Sequence, residues 1–140
     1  MDNLNVLFVD DETDFVGSLI KRMKKRKINA SGAGSGEEAI ELLSNGHVNI
    51  DVVVLDVRMP GMDGIDTLKA IKSIDPLIEV IMLSGHARLS VARQGMELGA
   101  FDYLMKPVDL DELLYKLQDA FQKKSIQEKK IEKLKAVSKT

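Results

Sequence analysis

Asp10 and Asp11 close the apolar run Leu4-Asn5-Val6-Leu7-Phe8-Val9. Asp56 closes a second run, Ile50-Asp51-Val52-Val53-Val54-Leu55. Lys106 closes a third, Phe101-Asp102-Tyr103-Leu104-Met105, and Pro107 follows it directly. Each charged group stands where a buried strand would stop. The carboxyl ends of strands in an open parallel sheet frame the crevice where ligands bind. Carboxylates gathered there repel one another unless a cation joins them. The pattern therefore points to a hard divalent metal, with the lysine as a second positive charge.

Asp56 carries the reactive part of that expectation. A carboxylate is a weak nucleophile, but it attacks phosphorus once a metal neutralises the incoming phosphoryl oxygens. Magnesium takes octahedral oxygen coordination, commonly one or two carboxylates plus phosphate and water. Asp10, Asp11 and Asp56 supply ligands of that kind, with manganese as a substitute ion. Lys106 would pair with a phosphoryl oxygen as a point charge. One acid at a strand end is an ordinary loop residue. Three, with a lysine, all at strand ends of one sheet, call for a shared purpose.

The elements that must position these groups alternate along the chain. Strands are expected at Leu4–Asp10, Ile28–Ala33, Ile50–Asp56, Ile78–Leu83 and Phe101–Met105. Helices are expected at Phe15–Arg26, Gly36–Ser44, Gly64–Ile74, Leu89–Leu98 and from Asp109 past Phe121. Ser35 with Glu38, and Asp109 with Glu112, fit helix-capping spacings. The run at Ile50–Asp56 is apolar on both faces and so reads as central. Alternating strand and helix implies right-handed crossovers and a parallel sheet covered on both sides.

Composition narrows the field. The chain has 140 residues, the size of one domain, and 20 basic residues against 22 acidic ones. That balance argues against nucleic-acid binding, which favours a basic excess. With no cysteine, disulfides and thiolate metal sites are excluded. No apolar run is long enough to span a bilayer, and the first residues do not read as a signal peptide. A soluble, cytoplasmic protein is expected.

Together, the segments Val6-Leu7-Phe8-Val9-Asp10-Asp11, Leu55-Asp56-Val57-Arg58-Met59-Pro60-Gly61-Met62-Asp63-Gly64, Leu83-Ser84-Gly85-His86 and Gly99-Ala100-Phe101-Asp102-Tyr103-Leu104-Met105-Lys106-Pro107 resemble a receiver domain of a two-component response regulator, from about Leu4 to Gln122. The resemblance implies a doubly wound, flavodoxin-like sheet of five strands in order 2-1-3-4-5 with five helices. It implies Asp56 as phosphoacceptor and Asp11, Asp10 (mostly through water), Asp56 and the Arg58 backbone carbonyl around Mg2+. Ser84 and Lys106 would bind the phosphoryl group, and Ser84 and Tyr103 would switch. The Lys106-Pro107 bond would be cis. Arg58 and His86 would tune dephosphorylation. The switch would shift the Leu89–Leu98 helix, the last strand and the last helix. The expected donor is a sensor histidine kinase or a histidine phosphotransfer protein. An output domain or effector, and a homodimer formed on phosphorylation, are further expected partners. Such a protein assists its own phosphorylation and dephosphorylation without being a turnover enzyme.

Residues 1–122 form the receiver in this reading, and 123–140 a lysine-rich C-terminal helix extension or linker. Gly95 reads either as a device that loosens its helix or as a tight packing point. Gly32-Ala33-Gly34-Ser35-Gly36 imitates a dinucleotide fingerprint, but its spacing is one short and it follows the second strand. The cluster Lys21-Arg22-Met23-Lys24-Lys25-Arg26-Lys27 reads as a solvated helix end favoured by the helix dipole, with a contribution to kinase docking as a further hypothesis. The rival reading is a small magnesium-dependent phosphohydrolase with an aspartyl-phosphate intermediate. Such enzymes place Asp-x-Asp after the first strand, where this chain has Glu12.

Overall fold

A strand covered on both faces is apolar at every position, whereas a half-exposed one alternates. The computed structural model describes residues 3–46, 49–58, 63–85 and 89–138. In it β3 (Val52–Asp56) and β4 (Glu79–Ser84) are buried at every residue. β1 (Asn5–Val9) and β5 (Asp102–Met105) flank them, and β2 (Asn29–Ala33), weakest in sequence and partly exposed, forms one edge. The order is β2-β1-β3-β4-β5, with each of these pairings parallel.

Side-chain alternation divides the core in two. Val6, Phe8, Val52, Val54, Ile81 and Leu83 face α1 (Thr13–Lys25) and α5 (Leu110–Ser138). Leu7, Val9, Val53, Leu55, Val80 and Met82 face α2 (Gly36–Ser44), α3 (Gly64–Ile74) and α4 (Leu89–Glu97). Ser35 caps α2 by accepting the Glu38 N–H at 3.1 Å, while the Glu38 carboxylate accepts the Gly34 N–H at 2.8 Å. The glycine-rich turn is thus committed to a helix start. Asp109 accepts the N–H groups of Asp111 and Glu112 at the start of α5.

Two details concern Gly95 and the end of α1. A Cβ on Gly95 would lie 2.1 Å from Met82 Sδ, and Met82 is fully buried, so this glycine is a packing point between α4 and β4. The basic cluster of α1 ends in a Schellman-type closure. Ile28 N–H bonds Met23 O and Lys27 N–H bonds Lys24 O, with Lys27 in the left-handed region at φ 59°.

The C-terminal helix continues without a break past the expected boundary at Gln122, as far as Ser138. Its core stripe of Leu113, Leu117 and Ala120 meets a lysine one turn later: Lys124 is 5% exposed. Lys124 Nζ donates to Asp51 Oδ1 at 2.9 Å and to Glu128 at 2.8 Å, and Asp51 Oδ2 accepts the Asn5 N–H. Burial works against the ammonium, but the Glu128 and Asp51 contacts prevail and its pKa is raised. This clasp joins the helix to the amino end of β3, the pole opposite the acidic strand ends. No helix among the described residues is long and apolar enough to cross a membrane.

Breaking a buried ion pair leaves its partner charge stranded, at ~3–5 kcal/mol for a fully enclosed pair. Asp51 keeps its backbone donor, so Lys124→Met should lower urea-unfolding stability by about 2–4 kcal/mol. Adding Asp51→Asn should cost less than the sum of the two single changes. A strictly additive result would show that the clasp is not a coupled pair.

Candidate phosphoacceptor and metal site

Asp10 follows β1 and Asp56 ends β3, neighbouring strands whose pairing runs to Val9 and Leu55. Each aspartate anchors one oxygen on the backbone two residues ahead. Asp10 Oδ1 accepts the Glu12 N–H at 2.9 Å, and Asp56 Oδ1 accepts the Arg58 N–H at 3.0 Å. Such local turns fix the carboxylate before any ligand arrives. The second oxygen of each faces Lys106, with Nζ 2.8 Å from Asp10 Oδ2 and 3.5 Å from Asp56 Oδ2. Asp11 is exposed beside them, and one oxygen from each of Asp10, Asp11 and Asp56 lies within 4.8 Å of the others.

These donors fit a hard dication. All three are carboxylate oxygens. Asp10 and Asp56 are buried, and Asp10 Oδ2, although ion-paired with Lys106, has no aligned hydrogen-bond donor. A buried acceptor left in that state is costly unless something else satisfies it.

The electrostatics carry the same strain. Burial lifts the Asp56 pKa, the Arg58 N–H works against that, the Asp10 charge adds to the rise and Lys106 opposes it; the net direction is upward. For Lys106, burial works against the ammonium, but the Asp10 and Glu12 contacts and the charges of Asp56 and Asp10 prevail, and its pKa is raised. Its Nζ also stands over the Phe15 ring, 4.7 Å from the centroid.

Ser84 is buried at the carboxyl end of β4, and its carbonyl accepts the Lys106 N–H at 2.8 Å, which ties β5 and its lysine to that strand end. Ser84, Val57, Arg58, Asp66, Val91 and Gln94 help to line a cavity of about 310 Å³ between α3 and α4. Tyr103 is half-buried on β5 and packs against the core on the α4 side. The Lys106-Pro107 peptide is cis. The structure thus brings Asp10, Asp11, Asp56 and Lys106 into one cup and sets Ser84 and Arg58 at its rim. His86 and residues 59–62 of the acceptor motif lie outside the described residues.

Two contributors escaped sequence reasoning. Glu12 accepts a 2.7 Å hydrogen bond from Lys106 Nζ. The Asp-Asp-Glu run was its only signal. Gly64 begins α3 where a Cβ would fall 2.4 Å from Val57 Cα and 3.0 Å from Asp56 O. Only a residue without a side chain lets α3 start so near the acceptor. Asp63, just before it, caps the helix by accepting the Asp66 N–H at 2.8 Å.

The family model for the response regulator receiver domain matches residues 6–118. The chain belongs to the receiver domain family. It is 37% identical over 119 residues to the transcriptional regulatory protein ZraR of Escherichia coli K12, covering 85% of this chain and 26% of that protein. It is 38% identical over 104 residues to the DNA-binding transcriptional regulator NtrC of Klebsiella pneumoniae, covering 74% and 22%. The receiver thus spans about a quarter of the length of these curated relatives. Among solved structures, a response regulator receiver domain protein from Clostridium thermocellum superposes with a TM-score of 0.83 at 32% identity, covering 89% of this chain and 98% of that one. The CheX-CheY-BeF3-Mg2+ complex of Borrelia burgdorferi gives 0.79 at 34% identity, covering 86% and 90%. Receivers are signalling modules of two-component systems, and the sheet order here is the one they share.

The raised Asp56 pKa has a signed consequence. Between its ordinary value of 3.8 and the raised one, the folded receiver binds more protons than the unfolded chain. Stability of the metal-free protein therefore falls as pH rises through that window. Asp56→Asn, whose amide oxygen can still accept the Arg58 N–H, should melt at a higher temperature than wild type at pH 7 in chelator. The gap should narrow as pH falls toward 3.8. Equal melting at pH 7 would show that the cup is not electrostatically strained.

Proposed function

We propose that the chain is a phosphorylation-controlled switch that accepts a phosphoryl group on Asp56 from a sensor histidine kinase or a histidine phosphotransfer protein, with Mg2+ (or Mn2+) as cofactor. The observation that supports this most strongly is the convergence of three carboxylates within 4.8 Å and one ammonium 3.5 Å from the acceptor. The BeF3 and Mg2+ in the Borrelia CheY complex support the same chemistry for a relative.

In the transfer, an Asp56 carboxylate oxygen forms a bond to phosphorus. The bond from phosphorus to the donor's imidazole nitrogen breaks, and its electron pair leaves with the imidazole. Asp10, Asp11, Asp56 and the Arg58 carbonyl would hold the metal, which when bound neutralises phosphoryl oxygens and so makes phosphorus open to an anionic nucleophile. The Asp10 and Asp56 turns keep both carboxylates in place during the step, so little rearrangement accompanies the chemistry. Lys106 supplies charge to an equatorial oxygen. Ser84 would donate its hydroxyl to another once it arrives. The cavity beside Ser84, under α4, gives that strand end room to change, and Tyr103 on the α4 side of β5 would turn with it. The altered face of α4, β5 and α5 would then meet an output domain, an effector or a second receiver. Arg58, with His86, would tune loss of the phosphoryl group.

The receiver proper is assigned to residues 1–122, with 123–140 as a helical extension toward an output partner. The assignment rests on the ZraR and NtrC relatives being about four times longer than the match. Direct nucleic-acid or membrane binding and turnover catalysis are not part of this function. The protein would act in the cytoplasm.

Intact-mass analysis after exposure to acetyl phosphate tests this. Wild type should gain one phosphoryl group, only with Mg2+ present, and then lose it. Asp56→Asn should gain none. The same gain in both proteins would refute the acceptor assignment, and release of many equivalents of phosphate per chain would favour the phosphohydrolase.

A further inference from the structure

The Glu12 carboxylate is placed for a task that neither the metal nor the helix start explains. Glu12 is the N-cap of α1, a position where a side-chain oxygen commonly accepts a helix N–H. It makes no such bond. Its backbone N–H instead locks Asp10, and its Oε1 reaches Lys106 Nζ at 2.7 Å, nearer than the 3.5 Å between Lys106 and Asp56. The lysine is held by Asp10 and Glu12 on one side and lies over Phe15, so its weakest carboxylate contact is the one with the acceptor.

We propose that Glu12 is a positioning residue, a resting-state latch that draws Lys106 off Asp56 and must release it when a phosphoryl group arrives. This rests on the function proposed above and deepens it. The latch makes two demands of opposite sign. In the resting protein it keeps the ammonium away from Asp56, which lowers repulsion of an incoming dication. In the phosphorylated protein it competes with the phosphoryl oxygens for the same ammonium. Glu12 is 63% exposed and Lys106 16%, so the pair is partly screened and can exchange partners at modest cost.

Calorimetric titration separates these effects. Mg2+ is titrated alone, and then beryllofluoride, a tetrahedral stand-in for the phosphoryl group, is titrated at saturating Mg2+. The proteins are wild type, Glu12→Gln and Asp14→Asn; the last removes an equal charge from the first turn of α1. Glu12→Gln should weaken Mg2+ binding and tighten beryllofluoride binding, each by about two- to five-fold, the range for an ion pair with one exposed partner. Asp14→Asn should move both constants little and in no opposed sense. If Glu12→Gln matches Asp14→Asn, or shifts both constants the same way, the latch is refuted while the acceptor assignment stands. If wild type binds no beryllofluoride with Mg2+, the functional reading fails and the latch with it.

Discussion

Among the described residues, Asp10, Asp11, Glu12 and Asp56 gather around the Lys106 ammonium at the carboxyl end of this sheet, and much of the local design follows from their mutual repulsion. Two unit charges about 5 Å apart at an effective dielectric of about 20 repel by roughly 3 kcal/mol. Lys106 offsets only part of that, although it touches Asp10, Glu12 and Asp56. The pKa of Asp56 is raised first by burial, with the neighbouring Asp10 charge adding to the rise, and the Asp10 oxygen beside it has no aligned donor. A protein selected for stability alone would remove one acid. Keeping all of them fits a site that an added cation would stabilise, which would link binding to folding.

That excess is tolerated because the backbone leaves the acids little freedom. The parallel register brings the ends of β1 and β3 side by side, and the two Asx turns fix a carboxylate at each. Gly64 lets α3 begin against the backbone of Asp56 and Val57, closing the cup where a Cβ would force the helix away. The bond from Lys106 N–H to Ser84 O links the lysine to the next strand end. Preorganisation of this kind means that a phosphoryl group would meet donors and acceptors already in position.

The fold was legible because its signals are redundant. Largely apolar runs marked β3 and β4, helical periodicity marked α2 and α3 with the boundaries observed, and Ser35 and Asp109 announced their caps. The three aspartates and the lysine were legible because strand ends in a parallel sheet converge whatever the loop lengths. Contacts that depend on side-chain reach were not. Glu12 and Lys106 are separated by 94 residues, and nothing local distinguishes that glutamate from a solvated one. Gly95 was ambiguous between a loose helix and a close approach, since one glycine serves either; only the position of Met82 decides it.

Lys124 shows how a charged residue can mislead a reading by composition. Residues beyond Gln122 looked like a polar tail, and a lysine there counted toward that impression. Yet Lys124 continues the spacing of Leu113, Leu117 and Ala120 and is nearly as buried, because Asp51 waits beneath it at the foot of β3. A long stem buried in apolar surface with its charge paired at the end is well suited to a helix passing the amino end of a central strand. The consequence is mechanical. A helix anchored only through Ala120 would pivot at its exit, whereas one gripped again through Lys124 leaves the sheet in a fixed direction. Any displacement of α5 at the acceptor end would then be carried along the same rod toward Ser138.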